Sequence, residues 1–132
     1  MRVFLDTNVW FSAVATPGLC EVLTKQLFEA NEVLGSELVW AELSDLLVRK
    51  LRFSSEEIAL AQAMFDEVEL ISDVPAPADD NDARLVAAAV AASADLFVTG
   101  DKRVLGWKQS GNLRIVTPRE AWIILFAPHL KH

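Results

Sequence analysis

Short apolar runs alternate with helical patterns along the whole of this chain, and few architectures satisfy both at once. Val3, Phe4 and Leu5 form a first run that ends at Asp6. Val33-Leu34, Val68 to Ile71, Leu96 to Thr99 and Arg114 to Val116 are further segments of strand length. Between them the apolar residues recur at helical spacing. Leu19, Val22, Leu23, Leu27 and Phe28 predict a helix over about residues 18–30. Leu38, Val39, Leu43, Leu46 and Leu47 predict another, running from an N-cap at Ser36 to about Lys50. Ser54 to Glu57 has the composition of a third helix start, and Asp79-Asp80-Asn81-Asp82 opens an Ala-rich fourth that reaches Ala92. Lys102 to Trp107 reads as a short helix, and Thr117-Pro118 starts a last one that ends near Phe126. The stretch from Asp6 to Thr16-Pro17-Gly18 reads as a loop, and Val74 to Ala78, with two prolines, as a stiff connector. This order predicts an α/β fold of three layers, with a central parallel sheet of four to five strands between helices.

At 132 residues the chain has the size of one domain, predicted here over residues 1–126 with a tail at 127–132. No apolar run approaches the roughly 18 residues that a membrane span requires. The N-terminus meets Arg2 and Asp6 too early for the apolar segment of a secretory signal, so residence in the cytoplasm is expected. Cys20 is the only cysteine, which excludes an internal disulfide and a CxxC motif. The net charge of −7 argues against broad non-specific binding to nucleic acid, because phosphate contacts draw on surplus Lys and Arg. It is compatible with carboxylates that serve as ligands for cations.

In parallel sheets the ligand crevice lies beyond the carboxyl ends of the strands. Asp6 and Asp101 both fall there, Asp82 opens a helix entered from the same side, and Glu42 lies on the edge of its helix's apolar stripe. Four carboxylates facing one crevice raise each other's pKa, a cost that a bound cation removes. All-oxygen ligands favour Mg2+ or Mn2+ over Zn2+, and such an ion can activate water for attack on a phosphodiester. Each acid also has an ordinary alternative. Asp79, Asp80, Asp82 and Asp101 suit helix capping, Glu42 suits a solvated flank, and an Asx turn would satisfy Asp6.

Asp6-Thr7-Asn8 after the first strand, Glu42 in the second helix, Asp82 at the Ala-rich helix and Val98-Thr99-Gly100-Asp101 together resemble a PIN domain, similar to VapC-like ribonuclease toxins of toxin-antitoxin pairs. The resemblance spans Met1 to about Phe126. It implies a metal-dependent endoribonuclease with Mg2+ or Mn2+ held by Asp6, Glu42, Asp82 and Asp101. Thr7 or Asn8 would orient Asp6 or a metal-bound water, and Thr99 would support Asp101. Asp79, one turn before Asp82, is an extra or substitute ligand, and Asp45 competes with Glu42 for its role. The resemblance further implies an RNA substrate, an antitoxin partner and a homodimer. The alternatives are a PIN-like module that only binds RNA or protein, and a phosphatase-like hydrolase with Asp6 as nucleophile, which the Asn at position 8 disfavours.

Around these acids, Lys102, Arg103 and Arg84 are candidate phosphate contacts, with Arg49, Lys50 and Arg52 a second basic group; solvated charge is the alternative for each. Trp10, close behind Asp6, is a candidate border of the substrate groove, whereas core packing is expected for Trp40, Trp107 and Trp122. His129 and His132 have no partner at ligand spacing and are expected to lie in a disordered tail.

Overall fold

The computed structural model describes residues 1–75 and 77–130; Ala76, in the proline connector, and Lys131 and His132 lie outside that description. The first strand, β1 (Arg2–Leu5), is central because Val3, Phe4 and Leu5 are all fully buried and can be covered only on both faces. It pairs in parallel with β2 (Glu32–Gly35) on one side and β4 (Leu96–Val98) on the other. Phe4 lies opposite Phe97, their rings stacked with centroids 5.2 Å apart. The two-residue β3 (Glu69–Leu70) continues the sheet beyond β2. On the far side come β6 (Leu113–Val116), parallel, and β5 (Gln109–Ser110), antiparallel, giving the order β3-β2-β1-β4-β6-β5. Six strands thus stand where four to five were expected. Two residues of β5 show no period, so the strand is invisible to sequence patterning. The hairpin after it turns through Gly111, at φ 59°, where glycine carries no steric cost.

The helices flank this mostly parallel sheet in the order α1 (Thr7–Ala15), α2 (Leu19–Ala30), α3 (Glu37–Leu51), α4 (Ser55–Phe65), α5 (Asn81–Ala91), α6 (Lys102–Leu105) and α7 (Pro118–Phe126). The expected caps are present: Ser36 accepts from the Val39 N–H, and Ser54–Glu57 and Thr117–Glu120 form reciprocal capping boxes. One element corrects the sequence reading. The stretch after Asp6 is the helix α1, not a loop, because burial of Val9, Trp10 and Ala13 against α2 and α3 overrides the weak helix propensity of its aromatic and β-branched residues. Trp10 is accordingly fully buried, its ring 5.1 Å from Phe65 and 6.0 Å from Phe28. At the other end, Pro128–Leu130 forms one 3-10 turn closed by the Leu130 N–H on the Ala127 carbonyl at 2.9 Å, so His129 lies in ordered chain rather than in a disordered tail.

Two features pin the β2 and β3 side. The Arg2 guanidinium donates to Glu32, to Glu69 and to the Ala92 carbonyl, tying the short edge strand to the sheet. Gly35 ends β2 beneath Phe65, where a Cβ would stand 2.9 Å from both the Phe65 ring and Val68. Phe65 cannot yield, being wedged between Trp10 and Trp40. Gly35→Ala is therefore expected to destabilise the fold by about 1–3 kcal/mol, the usual cost of overpacking, read from urea denaturation.

Candidate active site

Asp6 follows β1 directly. Its backbone N–H continues the ladder to the Val98 carbonyl at 2.9 Å, and its side chain caps α1. The residue is only 3% exposed. Oδ1 accepts from the Thr7 N–H at 2.8 Å; Oδ2 accepts from the Thr99 hydroxyl at 2.8 Å and from the Asn8 amide at 3.0 Å. Burial pushes the Asp6 carboxyl up to about 6, more than the Thr99 and Thr7 hydrogen bonds pull it down, and the charges of Asp82 and Glu42 add to the rise. Thr99 Oγ1 also accepts the Asp101 N–H at 3.0 Å, while Asn8 Oδ1 accepts the Gly100 N–H at 2.8 Å. The segments after β1 and β4 are thus joined by side chains of one motif each. Thr99 supports Asp6 and the Asp101 backbone at once.

Glu42 projects from α3 and joins two other helices. Its Oε1 accepts the Thr7 hydroxyl at 2.6 Å, and its Oε2 accepts the Asn81 amide at 3.1 Å. Asp45, the competing candidate, pairs with Arg49 one turn along the same helix at 2.7 Å. A cleft of about 330 Å³ opens between these helices, lined by Asp6, Thr7, Asn8, Glu42 and Asp82, with Asp45 and Arg49 at its side. Asp82, in the first turn of α5, is pushed upward by partial burial and then by the charge of Asp101, opposed by Arg103. Asp101 lines a second cavity of about 380 Å³ with Asn8, Gly100, Cys20 and Pro118. Its Oδ1 caps α6 through the Arg103 and Val104 N–H groups.

Two contacts stand out that sequence reasoning did not foresee, those of Asp80 with Arg103 and of Asn81 with Glu42. Of the three acids that suited capping, Asp80 caps α5 by accepting the Ala83 N–H at 3.0 Å, but its ion pair was not foreseen: the Arg103 guanidinium beside it holds its carboxyl below the usual range. The signal was present, since a cap lies three residues before the amide it receives. Asn81 reaches Glu42 only because α3 and α5 meet, which no local pattern records. Asp79 is exposed in the preceding turn. Arg103 also reaches Asp82 at 3.2 Å and lies over the Trp107 ring, 5.0 Å from its centroid. Two candidate contacts are corrected. Trp10 cannot border a groove from inside the core, and Arg84 is engaged with the Val74 carbonyl at 2.7 Å and with Asn81. Lys102, next to Asp101, is exposed.

The donor set is entirely oxygen, which suits a hard divalent ion. Asp82 Oδ1 and Asp101 Oδ2 accept no hydrogen bond among the described residues, and Asp6 is a buried acid with a displaced pKa. Among the described residues, however, no three Asp, Glu, His or Cys side chains are gathered closely enough to enclose an ion. The arrangement therefore fits an ion that keeps several waters, as Mg2+ usually does, rather than a dry protein cage.

The model of the PIN domain family matches residues 2–103, a span that includes Asp6, Glu42, Asp82 and Asp101. The chain belongs to the PIN domain family. PIN domains are generally nucleases. The fold is also that of a chain in the crystal structure of VapBC2 from Rickettsia felis bound to a DNA fragment from their promoter. The TM-score is 0.60 at 20% identity, over 89% of this chain and 98% of that one. No curated protein matches the chain. Among the described residues of this PIN protein, no helix is long and apolar enough to cross a membrane.

Proposed function

We propose that this PIN protein is a Mg2+- or Mn2+-dependent endoribonuclease, the toxin of a toxin-antitoxin pair, acting in the cytoplasm as a homodimer. The observation that carries the reading is the buried Asp6 carboxylate, held by three donors in the wall of a cleft that Glu42 and Asp82 share. Family membership supports the nuclease chemistry, and the similarity to a chain of a VapBC2 complex supports an antitoxin partner.

In this reading Asp6, Glu42, Asp82 and Asp101 would hold a divalent ion, partly through its own waters. When bound, the ion supplies the positive charge that favours a hydroxide nucleophile and a leaving alkoxide. Thr7 fixes the Glu42 oxygen that accepts its hydroxyl, Asn8 and Thr99 fix Asp6, and Thr99 also sets the backbone of Asp101. A scaffold of this kind holds the acids in place before substrate arrives, so little reorganisation accompanies the reaction.

The purified protein is expected to cut RNA internally with Mg2+ or Mn2+ and to lose that activity in EDTA. Glu42→Gln is expected to lower cleavage at a fixed metal concentration by about 10- to 100-fold, partly recovered at higher metal, as for a weakened ligand. Cleavage unaffected by EDTA would refute the metal assignment. One observation favours a second reading, a PIN module that binds without cutting: the Arg103 guanidinium engages Asp82. That reading predicts no rise in melting temperature with Mg2+ or Mn2+, whereas an ion that binds only the folded chain must raise it.

A further inference from the structure

The charge of this acidic chain is divided very unevenly. Residues 102–132 hold six of the twelve Lys and Arg but one of the nineteen Asp and Glu. That one acid, Glu120, is occupied, since its carboxylate accepts the Thr117 N–H at 3.0 Å in the cap of α7. Lys102, Lys108, Arg114 and Arg119 are all exposed, and none of them forms an ion pair among the described residues. Elsewhere Arg2, Lys25 and Arg49 are paired with acids and Arg84 with a carbonyl, which leaves Lys50 and Arg52 at the end of α3 as a smaller exposed pair without an ion pair among the described residues.

The structure also gives these cations a shape. Lys108 and Arg114 line one groove of about 460 Å³ together with Leu105, Ile115, Thr117 and Glu120. Arg114 stands opposite Gln109 in the β5–β6 ladder. Lys108 is held on both backbone groups: its N–H donates to the Leu105 carbonyl at 3.1 Å, and its carbonyl accepts the Ile115 N–H at 2.9 Å. Its φ of 61° is a conformation that glycine or asparagine adopts with less strain. The groove ends at Thr117, and the next residue, Pro118, lines the cavity of Gly100 and Asp101. That cavity in turn shares Asn8 with the cleft of Asp6.

We infer that the groove of Lys108 and Arg114 is the track along which single-stranded RNA approaches the acids. This inference rests on the ribonuclease reading and names the substrate path for it. A chain with net charge −7 repels RNA in general, so productive approach favours the face where the cations without an ion pair are most numerous and acids fewest. Phosphates seated there are led past Pro118 to Asp101. The acidic cleft itself contributes little to holding the substrate.

The test is binding of a labelled single-stranded RNA to the full chain in EDTA, followed by fluorescence anisotropy over a salt series. Lys108→Glu/Arg114→Glu is expected to weaken binding by at least ~10-fold at low salt and to reduce the salt slope by roughly 1.4, about 0.7 for each lost phosphate contact. Its circular dichroism and melting temperature should match those of the wild type. Lys50→Glu/Arg52→Glu, which changes the total charge equally on α3 and its C-cap, is expected to change affinity less than about 2-fold. Equal weakening by the two pairs would overturn the inference, because bulk charge alone would then explain it. So would a groove that binds polyglutamate but not RNA, which would mark it as a surface for an acidic protein. RNA cleavage by a wild type that the groove variant matches in affinity would refute the track and leave the ribonuclease reading intact. A wild type that neither binds nor cuts RNA would refute both.

Discussion

Asp6→Asn is expected to reduce RNA cleavage by about 10²- to 10⁴-fold while leaving the circular dichroism unchanged. The substitution keeps the size of the side chain and its ability to cap α1, since asparagine is as good an N-cap as aspartate. What it removes is the negative charge at the best-anchored position of the site. A cation is worth several kcal/mol in stabilising developing charge, and each 1.4 kcal/mol is tenfold in rate, so loss of one charged ligand falls in that range. The amide would also turn a donor toward the Asn8 amide, which now donates to Asp6 Oδ2. Single-turnover cleavage at saturating RNA separates this from weakened binding. Retention of wild-type cleavage by the variant would remove Asp6 from the site altogether.

The second large effect concerns stability without metal. For Asp6 the folded pKa of about 6 lies above the ordinary 3.8, so the folded state binds more protons between those values. The burial cost is thus absent below about pH 3.8 and fully present above about pH 6, and stability falls as pH rises through that window. The displacement corresponds to about 3 kcal/mol, at 1.36 kcal/mol for each tenfold change in proton affinity. Asp80 and Glu69, held low by Arg103 and Arg2, act in the opposite sense. They cancel when wild type is compared with Asp6→Asn. Urea denaturation in EDTA from pH 4 to pH 7 should therefore show the wild type losing roughly 2–2.5 kcal/mol relative to the variant, the rest of the loss falling below pH 4. Millimolar Mg2+ or Mn2+ should flatten the difference, because the bound charge replaces the missing proton. A difference that stays flat in EDTA would mean that Asp6 is as well solvated as an exposed acid.

Much of this arrangement was legible because it is local. Asp6 and Asp101 are marked by the apolar runs that precede them, and the capping residues Ser36, Ser54 and Thr117 are marked by their spacing. Glu42 was marked by its place in the strand and helix order; the Thr7 and Asn81 contacts fix it at the cleft, whose side Asp45 also lines. What escaped depends on tertiary contact. The helix α1 exists because Trp10 and Val9 have partners on α2 and α3, and those partners are distant in sequence. The same burial removed Trp10 from the groove. Arg103 was read as a candidate phosphate contact, whereas its commitment to Asp80 and Asp82 follows from where α5 and α6 meet.

Both outer strands of the sheet, β3 and β5, are two residues long, and Glu69 in β3 is bound by Arg2. Neither rim offers enough open main chain to template another polypeptide by strand addition, the route by which exposed sheet margins recruit neighbours and seed aggregates. Any lasting companion of this molecule must hold it by side chains on its helical flanks or on the β5–β6 hairpin face. Such a union is governed by salt, by charge and by apolar area, and it can be released without unpicking a ladder of backbone bonds.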